Sequence, residues 1–232
     1  MCQISFYYGI INIEIGSVNM LTKIKNNKTL IYMIVPFLTI ILIITSKIVT
    51  KKELLMDKWA YDIIVKQLRT PTLTIIMKNI TKLSNTGFMI IIATILTLLF
   101  IFKWKRKDIA KLIPCSLIFV TIANQLLKAI FQRQRPIGYR LIEMTGYSFP
   151  SGHAMVSMAF YGLLIYIIYH LVDNKRLRSS LVTLNILIII LIGISRVYLG
   201  VHYLSDIITG YSISIIYLLL LAKLLKKYKF FP

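Results

Sequence analysis

Hydrophobic and polar residues occur along this chain in long blocks rather than in the short alternation of a soluble domain. Six apolar blocks, each close to the ~20 residues that cross a bilayer as a helix, are separated by short polar segments. This pattern predicts an all-α, polytopic membrane protein, built as a six-transmembrane-helix bundle. The predicted spans cover Leu30–Ile48, Gly87–Phe102, Leu112–Ile130, Ala154–Val172, Leu181–Val197 and Leu204–Leu225.

The segment between the first two spans has the pattern of an amphipathic helix. In ELLMDKWAYDIIVKQLR the charged residues recur at helical spacing, and Leu55, Trp59, Ile63 and Ile64 share another face. Such a helix either lies flat at the outer interface, with Trp59 at headgroup depth, or packs over the bundle. We expect it to end before Pro71, because a proline restricts the residue that precedes it.

Composition agrees with a membrane protein and restricts its partners. The 232 residues are 57% hydrophobic, and the mean hydropathy is +0.76. There are 28 Lys and Arg residues against 8 Asp and Glu, a formal net charge of +20. Because the basic residues are scattered between the spans, the charge indicates contact with the lipid bilayer and not with nucleic acid.

The charges of the short loops predict the orientation. The segments KWKRKDIAK and DNKRLR, the tail KLLKKYK and the lysines before the first span all fall on one side of a six-span topology. Basic loops face the cytoplasm, so we expect both termini to be cytoplasmic in the plasma membrane. Residues 1–19 contain no Lys or Arg. We expect the native start at Met20, with residues 1–19 a non-native extension or disordered and 20–232 a single domain.

Ionisable residues collect at the opposite, outer ends of three spans. Two crossings separate the loop after span three from the loop after span five, so the two loops face the same compartment. Ionisable groups at helix ends that point into a bundle indicate a functional site. The residues of this group are Lys128 and Arg135 after span three, Ser151, Gly152 and His153 before span four, and Arg196, His202 and Asp206 between spans five and six.

These residue types suit a phosphate group. The cations Lys128, Arg135 and Arg196 match a multiply charged anion. Ser151 and Gly152 open a helix, whose free N–H groups also favour an anion. Taken singly, the cations could instead be lipid anchors and the Ser-Gly pair a simple helix cap.

The histidines suit acid–base and nucleophilic chemistry. His202 and Asp206 are four residues apart, so on a helix they would share one face, and the carboxylate would orient the imidazole. His153 is then free to act as a general acid. The alternatives are a structural hydrogen bond or half of a metal site, and no further ligand residues lie nearby in the sequence.

Together these residues resemble a known signature. Lys128 with Arg135-Pro136, then Pro150-Ser151-Gly152-His153, then Ser195-Arg196 with His202 and Asp206 are similar in order and spacing to the three motifs of the type-2 phosphatidic acid phosphatase superfamily. The signature covers residues 128–206. That superfamily also includes glucose-6-phosphatase-like and vanadium-haloperoxidase-like enzymes.

The resemblance implies a metal-independent membrane phosphatase with no cofactor. It implies that His202 attacks phosphorus to form a phosphohistidine, that Asp206 polarises His202, and that His153 protonates the leaving group. Lys128, Arg135, Ser151, Gly152 and Arg196 would hold the phosphoryl oxygens, on the extracytoplasmic side.

A bacterial lipid substrate suits a site at headgroup depth. The expected substrates are phosphatidylglycerophosphate, undecaprenyl pyrophosphate or phosphatidate. Two alternatives stay open: a non-catalytic lipid-binding or transport protein that retains the anion site, and an enzyme for soluble substrates. The presence of both histidines and the aspartate favours catalysis, because anion binding alone needs only the cations.

Overall fold

The computed structural model describes residues 27–231, and within them the chain is all-α, with no β-strand. The expectations about residues 1–19 and Met20 lie outside the described residues. The helices are α1 (Asn27–Val49), α2 (Leu55–Ala60, continued by a π-helical turn, Tyr61–Gln67), α3 (Pro71–Lys82), α4 (Thr86–Leu98, continued by a π-helical turn, Leu99–Lys103), α5 (Lys107–Phe131), α6 (Gly152–Leu171), α7 (Lys175–Tyr198) and α8 (Leu204–Lys227).

The prediction of six spans is confirmed. In the described part of the chain, six helices are long and apolar enough to cross a membrane: α1, α4 with its π-helical turn, α5, α6, α7 and α8. Several begin earlier than hydropathy indicated. The helix α7, for example, starts in the basic loop, where the Asn174 side chain accepts hydrogen bonds from the amides of Arg176 and Leu177. Polar residues at the membrane surface continue a helix, whereas hydropathy marks only its apolar part.

The helix α6 forms the centre of the bundle. It packs against α5, α7 and α8, while α1 lies outside on α8 and α4 lies outside on α5. Phe160 and Leu163 of α6 are buried with Ile113 and Ile192 in one core cluster. Outer positions such as Leu42 of α1 expose large apolar side chains, as expected for a surface in contact with lipid.

The amphipathic helix predicted between the first two spans is α2 with its π-helical turn. It packs on α7 and α8, where Ala60 is fully buried, and on the other face Leu55 and Trp59 are 86% and 61% exposed. The segment therefore combines the two arrangements expected from the sequence: one face covers the bundle and the other is free to contact the interface. It ends at Gln67.

A further helix, α3, was not predicted. Pro71, expected only to end the preceding helix, stands at the first turn of α3, where a missing N–H costs nothing. Thr70 caps this helix by accepting from the amide of Leu73. The helix α3 ends at Lys82 and packs on α7, and it is separate from the second span, which begins at Thr86.

The long segment between α5 and α6, residues 132–151, has no regular secondary structure but is held in place by hydrogen bonds. The Ser148 amide donates to the Arg133 carbonyl at 2.8 Å, and the Leu141 amide donates to the Leu199 carbonyl at 3.0 Å. A Cβ at Gly200, whose φ is +70°, would lie 2.3 Å from the Tyr139 carbonyl oxygen. Only glycine allows these two outer segments to approach so closely.

Candidate active site

The Arg135 guanidinium is buried where three segments meet. Its Nη1 donates to the Val201 carbonyl at 2.9 Å and lies 3.1 Å from His202 Nε2, while Nε donates to the Gly146 carbonyl at 2.9 Å. Lys128 approaches from the end of α5 and donates to the Tyr147 carbonyl at 2.9 Å. Both cations therefore order residues 132–151 and still have N–H groups for a further acceptor.

Arg196, at the last turn of α7, is only 1% exposed. Its Nη1 donates to Thr81 Oγ1 at 2.7 Å. Its Nε and Nη2 are buried and have no hydrogen-bond partner among residues 27–231. Unpaired guanidinium N–H groups in a buried position are costly, and a bound oxyanion would satisfy them.

The start of α6 has the expected geometry of an anion-binding helix end. Ser151 is the N-cap and accepts from the Ala154 amide, which confirms that the Ser-Gly-His segment opens a helix. A Cβ at Gly152 would lie 2.9 Å from Asn124 Oδ1. Asn124 also donates to the Pro150 carbonyl at 3.1 Å, so α5 holds this turn close, and a larger residue at 152 would have to displace the Asn124 amide.

His202 and Asp206 contact each other, but they do not lie on one helical face as the sequence suggested. His202 lies before α8, which begins at Leu204, and Asp206 is in the first turn. His202 Nδ1 is 3.2 Å from Asp206 Oδ2, which also accepts from the Tyr203 amide at 3.0 Å. The carboxylate thus caps the helix and orients the imidazole at the same time.

The charge state of His202 follows from its surroundings. Burial is the largest cause that lowers the pKa of His202; the positive charges of Arg196 and Arg135 also lower it, Asp206 raises it, and the resulting pKa is about 4. The imidazole is therefore neutral at physiological pH. With Nδ1 donating to Asp206, the lone pair lies on Nε2, directed at Arg135.

His153 is held from the turn between α3 and α4. Its Nε2 is 2.9 Å from Asn85 Oδ1, and its carbonyl accepts from Ser84 Oγ at 3.1 Å. A carbonyl oxygen can only accept, so this contact places a proton on Nε2 of His153. Asn85 is the N-cap residue of α4, but its side chain makes no cap hydrogen bond there.

The sequence also left Arg133 and Asp57 without a role. Arg133 Nη1 donates to Asp206 Oδ1 at 2.7 Å, and its Nη2 donates to Asp57 Oδ2 at 2.8 Å. A second arginine two residues before Arg135 was the available signal for Arg133. Asp57 and Thr81 carried no signal, because their contacts depend on how distant helices pack.

The predicted residues converge. Five of them, Lys128, Arg135, Gly152, His153 and His202, line one cavity of about 430 Å³. Asp206 lies beside this cavity, behind His202. Backbone hydrogen bonds join the remaining residues to the site: the Ser151 amide donates to the Asp206 carbonyl at 3.2 Å, and the Val201 amide donates to the Arg196 carbonyl at 3.2 Å. No three His, Cys, Asp or Glu side chains gather as a metal site within residues 27–231.

Comparisons with known proteins agree with this arrangement. Residues 112–230 match the family model of the PAP2 superfamily. The chain is 32% identical over 152 residues to phosphatidylglycerophosphatase B of Bacillus subtilis, a match that covers 64% of this chain and 73% of that protein. It is 30% identical over 135 residues to an undecaprenyl-diphosphatase of Sulfolobus acidocaldarius, covering 56% of this chain and 61% of that relative.

Solved structures share the fold. The crystal structure of a transmembrane PAP2-type phosphatidylglycerolphosphate phosphatase from Bacillus subtilis superposes with a TM-score of 0.73 at 28% identity, covering 85% of this chain and 97% of that one. LpxE of Aquifex aeolicus has the same fold, with a TM-score of 0.58 at 22% identity, over 74% of this chain and 96% of that one. This chain is a multi-pass membrane protein, and it belongs to the PAP2 superfamily.

Proposed function

We propose that this protein is a metal-independent phosphatase that hydrolyses the phosphate of a membrane lipid phosphate or lipid pyrophosphate. The observation that carries the proposal is the pairing of a neutral, oriented imidazole with an unsatisfied cation. His202 Nε2 holds a lone pair. In the buried Arg196, Nε and Nη2 have no hydrogen-bond partner among the described residues. Family membership and the phosphatase relatives support the same reaction class.

In the first step, His202 Nε2 attacks phosphorus, and the bond from phosphorus to the leaving oxygen breaks. Doubly protonated His153 donates one proton to that oxygen and becomes neutral, so the lipid product leaves neutral at this position. The Arg135 N–H that now faces Nε2 at 3.1 Å must turn to a phosphoryl oxygen, which frees the lone pair.

In the second step, His153 takes a proton from water, and the resulting hydroxide attacks phosphorus. The bond between phosphorus and Nε2 breaks and inorganic phosphate is released. Throughout, Lys128, Arg135 and Arg196, with Ser151 and the Gly152 amide, stabilise the charge on the equatorial oxygens. Asp206 stabilises the positive charge that develops on His202.

The shape of the site favours a lipid. Besides the polar site residues, apolar side chains of α4 and α5, including Ile90, Leu117, Ile118 and Ile122, line the 430 Å³ cavity. Acyl or prenyl chains can occupy this groove while the phosphate contacts His202. A second cavity of about 890 Å³ also reaches Arg135 and His202 but is lined by Lys51, Lys52 and other outer residues. This second opening suits water and released phosphate.

The proposal includes phosphatidylglycerophosphate, undecaprenyl pyrophosphate and phosphatidate as substrates, acted on at the extracytoplasmic face. The relatives with phosphatidylglycerophosphatase and undecaprenyl-diphosphatase names support the first two.

Phosphate release tests the proposal. Purified protein in detergent micelles, with EDTA present, should release phosphate from at least one of the three lipids, and kcat/KM should exceed that for glucose 6-phosphate. His202→Ala should lower turnover by about 10⁴-fold or more, because it removes the nucleophile. A His202→Ala protein with most of its activity would refute the nucleophile assignment. An inactive wild type that still binds the lipids would instead favour a lipid-binding protein.

A further inference from the structure

Arg133 lies between two carboxylates beside the proposed nucleophile. Its two terminal nitrogens are 2.8 Å from Asp57 Oδ2 and 2.7 Å from Asp206 Oδ1. The exposed fractions of the side chains are 16% for Arg133, 8% for Asp57 and 0% for Asp206. The guanidinium also lies 3.9 Å from the Tyr203 ring centroid. Such a buried and fully oriented pair is unlike the exposed ion pairs that contribute little.

Both carboxylate oxygens of Asp57 accept hydrogen bonds from groups of the bundle. Its Oδ1 accepts from the Ser205 amide at 2.8 Å, and its Oδ2 accepts from Ser205 Oγ at 2.7 Å as well as from Arg133. Asp57 lies on α2, Arg133 follows α5, and Ser205 is in the first turn of α8. One carboxylate therefore joins the short outer helix to the helix end that carries Asp206.

The arrangement limits how much positive charge reaches Asp206. A guanidinium can present two parallel N–H groups to one carboxylate. Here Nη2 of Arg133 donates to Asp57, so only Nη1 of Arg133 donates to Asp206, at 2.7 Å. Oδ2 of Asp206 stays available to His202 Nδ1 and the Tyr203 amide.

We propose that Asp57 and Arg133 are positioning residues that set the orientation and the effective charge of Asp206, and through it the nucleophilicity of His202. This inference rests on the proposed function. The competing interpretation is a purely structural latch that fastens α2 to the bundle. The two interpretations differ in what each substitution does to the ionisation of His202.

The charges predict shifts of opposite sign. Arg133→Gln removes a positive charge, so the two carboxylates favour imidazolium and the protonation of His202 moves to higher pH. Asp57→Asn removes a negative charge and frees the guanidinium for Asp206, so the protonation moves to lower pH. A structural latch would lower activity without moving the two variants in opposite directions.

The experiment is the pH dependence of kcat/KM for phosphate release, with the same lipid phosphate for every variant, so that substrate ionisation cancels in the comparison. The charged or titratable groups that face His202 or share its cavity are Asp206, Arg135, Arg196, His153 and Lys128. These five stay unchanged in every variant. The acid limb is the fall of kcat/KM toward low pH, which reports the protonation of His202. We expect the apparent pKa of this limb to be higher by about half a pH unit in Arg133→Gln and lower by about as much in Asp57→Asn. We expect kcat to fall about ten- to hundredfold in both, as for displaced catalytic groups.

Matched controls lie on the same segments. Asp62 is on the π-helical turn that continues α2 and pairs with Lys66 at 2.8 Å, with 39% of its side chain exposed, so Asp62→Asn should retain wild-type activity. Arg140 follows Arg133 in the same loop and donates to the Pro136 carbonyl at 2.8 Å in an exposed position, so Arg140→Gln should behave likewise.

Two further variants separate charge from geometry. Arg133→Lys keeps the positive charge, but its single ammonium group cannot donate to both carboxylates in the same geometry. The apparent pKa of its acid limb should therefore stay near the wild-type value, while kcat should be lowered as in the other variants. In the double variant Asp57→Asn/Arg133→Gln, the loss in kcat should be smaller than the product of the single losses, because the residues act as a unit.

The outcomes distinguish this inference from the proposed function. An inactive wild type refutes the function itself. If the wild type is active and the variants run as folded species on size exclusion, then unchanged kcat and acid limbs overturn the positioning role. Acid limbs that move in the same direction, or multiplicative losses in the double variant, also overturn it. Should Arg133→Gln not fold, Arg133→Lys and Asp57→Asn decide the matter by the same criteria.

Discussion

At the scale of single residues, each of the two histidines at the site is held by a partner from another segment. His202 contacts Asp206 at Nδ1 and Arg135 at Nε2, whereas His153 contacts Asn85 at Nε2. These partners impose different proton arrangements on the two rings. The ring of His202 presents a lone pair at Nε2, whereas the ring of His153 holds its Nε2 proton against Asn85.

The role of His153 predicts a dependence on the leaving group. His153→Ala should lower kcat/KM by about 10²- to 10⁴-fold for a lipid phosphate, whose alkoxide needs a proton. For an aryl phosphate with an acidic phenol, the loss should be much smaller, because that group leaves without protonation. The comparison of both substrates on wild type and variant checks this. An equal loss for the two substrates would contradict the general-acid role.

The buried imidazole of His202 predicts a loss of stability in acid. Its folded pKa is about 4, against an ordinary value of 6.5. Between these values the unfolded chain holds a proton that the folded chain lacks, so stability falls as pH drops from 6.5 to 4 and this contribution is constant outside that window. The thermal midpoint in detergent should therefore fall more for wild type than for His202→Asn, which keeps an N–H for Asp206. Equal falls in the two proteins would count against this prediction.

At the scale of elements, the short helices α2 and α3 support the site without crossing the membrane. The helix α3 contributes Thr81, which accepts from Arg196, and the turn after it contributes Ser84 and Asn85, which hold His153. The helix α2 contributes Asp57 and the buried Ala60. The spans and the loops that join them carry the groups proposed to react, and the outer helices contact several of these groups.

The contact of α2 with the bundle predicts the effect of overpacking. Ala60 is buried in a cluster with Ala154, Val197 and Ile207, from three spans that border the site. Ala60→Leu should destabilise the protein by about 1–3 kcal/mol, because the cluster has no room for the larger side chain. The thermal midpoint in detergent measures this effect. Leu55→Met on the exposed face of α2 is the control, and a midpoint as low as that of Ala60→Leu would contradict the packing assigned to this helix.

At the scale of the whole molecule, six spans bring all the ionisable site residues to one face. The loops between α4 and α5 and between α6 and α7 lie at the other face, together with the end of α8. The short segments at that face, KWKRKDIAK, DNKRLR and KLLKKYK, are rich in basic residues, which predicts a cytoplasmic location for it.

Cysteine labelling tests this orientation. In a protein with Cys2 and Cys115 replaced by serine, Arg140→Cys should react with a membrane-impermeant maleimide in intact cells. Lys105→Cys, in the loop after α4, should react only after permeabilisation. Labelling of both positions from outside, or of Lys105→Cys alone, would contradict the predicted topology.

The sequence by itself determined the class of fold and the number of spans, and it predicted the residues that are proposed to bind and cleave phosphate. Hydropathy is a sum over consecutive residues, so it identifies spans without any knowledge of their packing. It did not indicate α3, since that helix is short and neither uniformly apolar nor strongly charged. The motifs could also be recognised from the sequence, because the residues of each motif lie within a short stretch of the chain.

Only the tertiary structure decided which groups contact and orient the motif residues. His202 and Asp206 pair around the beginning of α8 and not along a helical face, because backbone capping directs the carboxylate. Arg196 meets Thr81 across 115 residues of sequence, and Arg133 meets Asp57 across 76. Such partners are chosen by the distances between packed helices, and no local pattern of residues encodes those distances.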